Sequence, residues 1–161
     1  MCSLSSTSRY IKRIKGVGLW SLVCLLSMAS LFCQGAWAGE RLCVTSNIGN
    51  VRSGPGTNQK ILWKVEGFYP FIVIEKKGNW YKFKDFEGDV GWFHKSIVGK
   101  VRSVITVKNN CNVRSGPGTK NAIAFPAERG VPFKVLQKKG NWLQVEHCDG
   151  DRGWIRKDLV W

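Results

Sequence analysis

The sequence predicts an all-β protein in which two tandem copies of one small module follow an N-terminal signal peptide. Three observations support this prediction: a basic and apolar leader, an internal repeat of constant spacing, and short apolar runs separated by glycine-bearing turns. No part of the repeat keeps a helical period for three turns. We therefore expect domains at residues 40–99 and 104–161, joined by a linker at residues 100–103.

Residues 1–38 have the organisation of a cleaved signal peptide. Four basic residues precede an apolar stretch, residues 16–32, that is short for a membrane span. Ala36 and Ala38 are small residues at both positions that a signal peptidase reads, which predicts cleavage after Ala38. Cys33 follows Phe32, which does not fit a lipidation signal. The mature chain is expected to be periplasmic or secreted, with no membrane span.

The mature chain would be strongly basic. It keeps 21 of the 25 basic residues and all 11 acidic residues, which gives a net charge of +10. Such a charge favours anionic or neutral partners, and outside the cytoplasm these include peptidoglycan carboxylates, lipid headgroups and acidic proteins. Nucleic acid is not an expected partner. Solubility alone explains the charge equally well.

Three cysteines remain after the leader: Cys43, Cys111 and Cys148. Export permits a disulfide, and the odd count leaves one thiol over. Cys111 and Cys148 lie in the same copy and are the preferred pair, although Cys43 with either stays an open alternative. His147 adjoins Cys148, but without a second spaced Cys or His pair we predict no metal site and no cofactor.

The repeat extends through most of the mature chain. Residues 51–57 recur letter for letter at 113–119, and residues 76–80 recur at 138–142. Aligning residues 46–99 with residues 108–161 gives 25 identities in 54 positions without an insertion. This similarity is typical of a duplicated module.

Turn residues punctuate each copy. Gly54-Pro55-Gly56 and Gly116-Pro117-Gly118 predict type II turns, because proline presets φ and the second glycine accepts a positive φ. Glu87-Gly88 and Asp149-Gly150 suit tight hairpins between strands. The other residues assigned structural roles are Arg52 and Arg114, which are expected to hold the turn loops by hydrogen bonds, and the repeated Trp92 and Trp154.

Comparing the copies indicates which residues face the core. Phe71 and Val73 stay apolar in the second copy, whereas Ile72 between them is replaced by Lys134. We therefore expect Phe71 and Val73 to face inward. By the same comparison the outward-facing tryptophans are Trp80 and Trp142.

Three blocks, Asn-Val-Arg-Ser-Gly-Pro-Gly-Thr, Gly-Asn-Trp-Tyr-Lys and Gly-Trp-Phe-His-Lys-Ser-Ile-Val, resemble the bacterial Src-homology-3-like (SH3-like) domain. The resemblance covers nearly all of both copies. It implies two small, partly open SH3-like β-barrels, each closed by a short 3₁₀ turn near residues 94–97 and 156–159. Eukaryotic SH3 domains grip proline-rich peptides with a proline and a tyrosine, which correspond here to His94 and Ile97. Proline-rich recognition is therefore not expected.

No group of residues in the sequence suits catalysis, so we expect a non-enzymatic protein. Asp85, Glu87 and Asp89 cluster around a hairpin, where carboxylates usually solvate a turn.

Recognition is instead expected from an aromatic and basic surface, on which rings stack against sugars or peptides and lysines pair with carboxylates. Aromatic residues that simply cap a small barrel are an equally weighted alternative. Copy one is expected to bind better, because Val131 replaces one of its aromatic residues. The expected binding residues are Trp63, Tyr69, Lys76, Lys77, Trp80 and Lys82 in copy one and Trp142 in copy two.

These features predict an envelope protein that binds peptidoglycan or cell-wall peptides. The alternative is an adaptor that docks an envelope protein in a periplasmic complex.

Overall fold

The computed structural model describes residues 39–161, which are built mainly from short strands. The predicted signal peptide lies outside these described residues. Residues 39–161 cluster into one unit that contains two antiparallel sheets and two 3₁₀ turns. Within this range, no helix is long and apolar enough to span a membrane.

The first copy contains seven strands and one 3₁₀ turn. These elements are β1 (Arg41–Val44), β2 (Ile48–Arg52), β3 (Ile61–Glu66), β4 (Pro70–Lys77), β5 (Trp80–Lys84), β6 (Val90–His94), η1 (Lys95–Ile97) and β7 (Val98–Gly99). The order of strands across the sheet is β3-β2-β6-β5-β4-β1-β7. The strand β1 therefore lies inside the sheet, where it pairs with both β4 and β7.

The second copy repeats this arrangement with six strands. Its elements are β8 (Ser103–Ile105), β9 (Cys111–Arg114), β10 (Ile123–Ala127), β11 (Pro132–Lys139), β12 (Trp142–Glu146), β13 (Arg152–Arg156) and η2 (Lys157–Leu159). The order across the sheet is β10-β9-β13-β12-β11-β8. The strands β11, β12 and β13 begin and end at the positions that the repeat aligns with the ends of β4, β5 and β6. The predicted all-β fold class is confirmed.

Each copy buries its own set of apolar side chains. In copy one, Phe71, Phe83 and Phe93 are fully buried, with ring centroids 4.4 to 5.1 Å apart. Val73 is also fully buried, so the inward face predicted for β4 is correct. Side chains of this size supply most of the stability of such small domains, because each buried aromatic ring removes a large apolar area from water.

The hairpin glycines adopt the positive φ that was predicted, whereas the prediction of type II turns is wrong. Gly88 has a φ of 90° and Gly150 a φ of 98°. Gly56 is not among the residues with positive φ, so the loop lacks the conformation that a type II turn requires. The Gly56 N–H instead donates to the Gly54 carbonyl at 3.0 Å, across a single proline.

Reciprocal loops join the two copies. Glu87, in the β5–β6 turn of copy one, pairs with Arg129, in the β10–β11 loop of copy two, at 3.0 Å. His147, in the β12–β13 turn of copy two, lies 3.4 Å from Glu66, at the end of β3 in copy one. In each contact, a turn between two equivalent strands of one copy meets the end of β3, or the loop after its equivalent β10, in the other copy.

Trp161 fastens the second copy to the first. Its ring packs against the copy-one core, and the Arg41 guanidinium lies 3.8 Å from the ring centroid. Arg41 Nη2 also donates to the Trp161 carbonyl at 2.9 Å. Ile105, which exchanges backbone hydrogen bonds with Trp161, is fully buried within the copy-one core. The linker therefore does not separate two independent cores.

Candidate functional site

Tyr69 does not belong to a binding surface, contrary to the expectation from sequence. Its side chain is 8% exposed, and its hydroxyl donates to the Asp85 carboxylate at 2.8 Å. Burial, and then the negative charge of Asp85, raise the pKa of Tyr69. The other Asp85 oxygen accepts from the Glu87 and Asp89 N–H groups at 2.9 Å. Asp85 thus holds the β5–β6 turn through three hydrogen bonds.

Strand alternation also removes Lys76 and Trp63 from the face that Trp80 occupies. The strand register pairs Lys77 with Trp80 and Lys76 with Tyr81, and the Lys76 ammonium lies 5.0 Å from the Tyr81 ring centroid. Trp63 pairs with a fully buried valine of β2 and packs against the core. The expected binding residues therefore do not form one surface.

A smaller aromatic strip does form on the outer face of copy one. The strand register places Trp80 opposite His94, with ring centroids 5.0 Å apart, and Lys82 opposite Trp92. Lys82 pairs with Glu75 at 3.4 Å, and its ammonium lies 5.9 Å from the Trp92 ring. Lys82 and Trp80 in the strip are therefore already in contact with other side chains of the protein.

Copy two has a shallow groove at the corresponding place, with a volume of about 210 Å³. We call it the outer groove. Its arginines are already engaged, because Arg114 donates to the Asn121 carbonyl at 2.7 Å and Arg156 to Asp158 at 2.5 Å. The outer groove is lined by Asn110, Asn112, Arg114, Thr119, Trp142, Arg156 and Leu159.

Arg52 makes the contacts expected of a residue that holds its loop. Its guanidinium Nη1 donates to the carbonyls of Thr57 and Gln59, both at 2.8 Å. These hydrogen bonds hold the loop that lacks the positive-φ turn expected from the sequence. Arg52 therefore has the structural role expected from the sequence.

A larger cavity, of about 500 Å³, lies where the two copies meet. We call it the junction cavity. Its apolar side chains come mainly from β8, β11 and β12, and its cations come from both copies and the linker. No acidic residue of the described chain lines it. The lining residues are Arg41, Lys100, Val101, Arg102, Ser103, Val104, Val135, Lys138, Leu143 and Trp161.

The repeat shows why positive charge concentrates at this cavity. In copy one, Lys76 forms an ion pair with Glu40 at 2.9 Å. The repeat aligns Lys76 with Lys138 and Glu40 with Arg102, so copy two has a second cation where copy one has the neutralising acid. Proximity to Lys138 lowers the pKa of Lys157, which is a further sign of crowded positive charge.

The sequence prediction missed these cavity residues. The alignment of the copies began at Ser46, and extending it to Glu40 would have shown the replacement by Arg102. The contribution of Arg41 and Trp161 had no local signal, because it depends on how the copies pack together.

The expected disulfide between Cys111 and Cys148 is not formed in the described part of the chain. Cys111 is buried in the copy-two core, where its thiol donates to the Lys108 carbonyl at 3.2 Å. Cys148 lies in the β12–β13 turn, close to Gly67 of copy one. Cys43 is fully buried in copy one. Burial raises the pKa of the Cys43 and Cys111 thiols, which lowers their reactivity.

Comparison with known proteins gives a consistent family match. The family model described as bacterial SH3 domain matches residues 45–99 and again residues 107–161. YrvJ of Bacillus subtilis (strain 168), assigned as an N-acetylmuramoyl-L-alanine amidase, is 24% identical over 154 residues, which cover 86% of this chain and 29% of YrvJ. LytH of Staphylococcus epidermidis (strain RP62A), assigned as a cell wall amidase, is 33% identical over 52 residues, which cover 32% of this chain and 18% of LytH.

The chain therefore spans less than a third of the length of these curated relatives. Among solved structures, an NlpC/P60 family protein from Bacillus cereus ATCC 10987 aligns with 76% of this chain and 56% of its own, at 13% identity and a TM-score of 0.37.

Proposed function

The chain belongs to the bacterial SH3 domain family, and from this premise we propose that it is an exported, non-enzymatic protein that binds peptidoglycan through the peptide stems. The relatives assigned as cell wall amidases support a role at the cell wall. Their assigned activity does not transfer with the match, because the aligned region is a minor part of each relative.

The junction cavity is the observation that carries this proposal. A peptide stem presents carboxylates next to short apolar side chains. The cavity offers the complementary groups, since it combines the apolar surface of Val104, Leu143 and Trp161 with the cations of Arg102 and Lys138. Charge-assisted hydrogen bonds from such cations to carboxylates are about twice as strong as neutral ones. We therefore propose that the ligand binds at copy two and the junction, whereas the sequence led us to expect better binding by copy one.

The part of the proposal that the protein is non-enzymatic is supported by the way in which the Asp85 carboxylate is used. Asp85 accepts three hydrogen bonds, from one hydroxyl and two N–H groups. Asp85 is also only 7% exposed, so it stabilises a turn and is poorly placed for proton transfer to a substrate.

Neighbouring lysines provide a matched test of the cavity. Lys138 lines the junction cavity, whereas Lys139 follows it on β11 and is not part of the lining. We expect Lys138→Glu to reduce retention on purified sacculi at least tenfold, because it reverses the charge at the site. Lys139→Glu makes the same change in net charge and should reduce retention only slightly. Retention is measured by sedimentation with sacculi at low and high salt.

Equal losses in the two variants would show that retention depends on net charge alone and would overturn the assignment to the cavity. Trp142→Ala tests the outer groove in the same assay. If Trp142→Ala abolishes retention while Lys138→Glu does not, the outer groove is the binding site. No retention of the unaltered protein would refute peptidoglycan binding itself.

A second function, docking of an envelope protein, is favoured by the outer strands of the two sheets. The strands β3 and β10 lie at the edges, and they expose Ile61, Leu62 and Ile123. Exposed apolar edge strands can accept a strand from a partner. We expect Leu62→Lys to abolish capture of such a partner without changing retention on sacculi. Stoichiometric capture of one envelope protein, lost in Leu62→Lys, would favour docking, and capture unaffected by Leu62→Lys would exclude this edge.

A further inference from the structure

Three side chains with metal-ligating atoms meet where the two copies join, away from the junction cavity lining. The His147 Nε2 atom lies 3.4 Å from Glu66 Oε2 and 3.8 Å from Cys148 Sγ. All three ligand atoms are within 4.8 Å of one another. Glu66 comes from copy one and the other two residues from copy two, so the cluster exists only because the copies are packed together.

These separations fit a tetrahedral metal ion. With typical zinc bond lengths, the nitrogen and oxygen ligands of a tetrahedral site are about 3.4 Å apart and the nitrogen and sulfur ligands about 3.6 Å apart. We propose that Glu66, His147 and Cys148 form an inter-module binding site for Zn²⁺, with a fourth position open to water or another ligand. Only the Glu66 carboxylate, on a side chain that is 38% exposed, would need to move closer.

The surroundings of His147 support a metal ligand. The ring is 2% exposed, and its Nδ1 atom lacks a well-aligned hydrogen bond although Asp149 Oδ1 lies only 2.9 Å away. Metal-bound histidines usually direct the second nitrogen at a carboxylate, which fixes the ring orientation. Asp149 is close enough to serve this purpose.

The repeat indicates that this turn has diverged. In copy one, the residues at the positions of His147 and Cys148 are Asp85 and Phe86. Asp85 is held by the Tyr69 hydroxyl, but the residue equivalent to Tyr69 in copy two is a valine, which offers no such partner. The histidine therefore replaces a structural carboxylate without inheriting its hydrogen bond. A ligand role gives that replacement a chemical purpose.

Charge also favours a divalent ion here. A Cys148 thiolate and the Glu66 carboxylate supply two negative charges beside a neutral imidazole, which balances Zn²⁺. A mixture of nitrogen, sulfur and oxygen ligands favours zinc and other late transition ions over Ca²⁺ or Mg²⁺, which prefer oxygen alone. Binding would release the thiol proton and would clamp the two copies together. This inference is independent of peptidoglycan binding.

Cobalt provides a spectroscopic test on the full chain after treatment with a chelator and a thiol reductant. We expect one equivalent of Co²⁺ to give the absorption bands of a tetrahedral site together with a thiolate charge-transfer band, and one equivalent of Zn²⁺ to displace it. Cys148→Ser should remove the charge-transfer band, and Glu66→Gln should weaken Co²⁺ affinity at least tenfold. Both side chains are partly exposed, so both variants should keep the near-ultraviolet circular dichroism of the unaltered protein.

Cys111→Ala is the matched control, because it removes a buried thiol of the same copy that belongs to no group of three candidate metal ligands among the described residues. It should leave the cobalt spectrum unchanged. Absence of the charge-transfer band at one equivalent, or its persistence in folded Cys148→Ser, would overturn the proposal. Loss of the band in Cys111→Ala alone would place the metal at another cysteine and would equally overturn it.

Discussion

At the scale of single residues, the buried pair of Tyr69 and Asp85 shows how copy one holds its β5–β6 turn. The carboxylate is 7% exposed, and three hydrogen bonds compensate for its removal from water. Such a buried polar group stabilises the fold only while its partners are present. The tyrosine is therefore a structural residue, although its sequence context resembles that of a surface aromatic.

Removing the tyrosine hydroxyl should destabilise copy one. We expect Tyr69→Phe to lower the free energy of unfolding by about 1 to 3 kcal/mol, because it leaves one oxygen of a buried carboxylate without its donor. Tyr81→Phe, at a half-buried tyrosine, is the matched control and should cost less than about 1 kcal/mol. Urea denaturation followed by tryptophan fluorescence measures both. Equal costs would show that the Asp85 hydrogen bond contributes nothing.

Alkaline pH should weaken the same pair. The pKa of Tyr69 is raised in the folded protein, whereas an unfolded tyrosine ionises near pH 10. The stability from this group is therefore complete below about pH 10 and declines as the pH rises further, since ionisation then favours the unfolded chain. We expect the decline in the free energy of unfolding above pH 10 to be shallower in Tyr69→Phe than in Tyr81→Phe. Parallel pH profiles would contradict this linkage.

At the scale of strands and turns, close approach of β2 and β6 requires a glycine. A Cβ atom at Gly91 would lie 2.2 Å from Val51 Cγ1, and one at Gly153 would lie 2.5 Å from the equivalent Val113. Both copies therefore keep a glycine where the crossing strand carries a fully buried valine. The repeated Gly-Trp pairs are explained in part by this packing.

Overpacking at this crossing should be relieved by a compensating change. We expect Gly91→Ala to lower the free energy of unfolding by about 1 to 3 kcal/mol, because the added methyl group has no space. In Gly91→Ala combined with Val51→Ala, the loss should be smaller than the sum of the two single losses by at least about 0.5 kcal/mol. Additive losses, measured by thermal or urea unfolding, would show that strain at Gly91 has another origin.

Local sequence signals predicted some turns better than others. The hairpin glycines Gly88 and Gly150 were predictable, because a tight turn imposes its φ within a few residues. The conformation at Gly56 was not, because the Arg52 guanidinium holds the whole loop through the carbonyls of Thr57 and Gln59. A contact of this kind overrides the preference of a Pro-Gly pair.

At the scale of the whole molecule, the two copies share packing at the copy-one core, so we expect them to unfold as one cooperative unit. Ile105 belongs to the copy-one core, and Trp161 packs against that core from the other end of copy two. The duplication and the fold of each copy could be predicted from the constant spacing of the repeat. The junction cavity and the Glu66–His147 contact could not, because they depend on how the copies pack against each other.

Loss of Trp161 should uncouple the copies. We expect Trp161→Ala to lower the free energy of unfolding by about 2 to 4 kcal/mol, because it removes a large ring from the copy-one core surface. It should also split the single thermal transition into two, because the two copies would then unfold separately. Trp80→Ala, in the outer strip of copy one, is the control and should keep one transition. A single sharp transition in Trp161→Ala, seen by calorimetry, would show that other contacts suffice.

The contact between Arg41 and Trp161 also means that the order of the modules along the chain is not imposed by the architecture. The Arg41 side chain donates to the Trp161 carbonyl at 2.9 Å, so the first strand, β1, and the last residue lie close together. A short glycine-rich connection could join residue 161 to residue 39. The chain could then be cut at the exposed Lys100 to create new termini. Such a circular permutant would carry the second module first and retain the same cores, because adjacency in space, not sequence order, defines this pair.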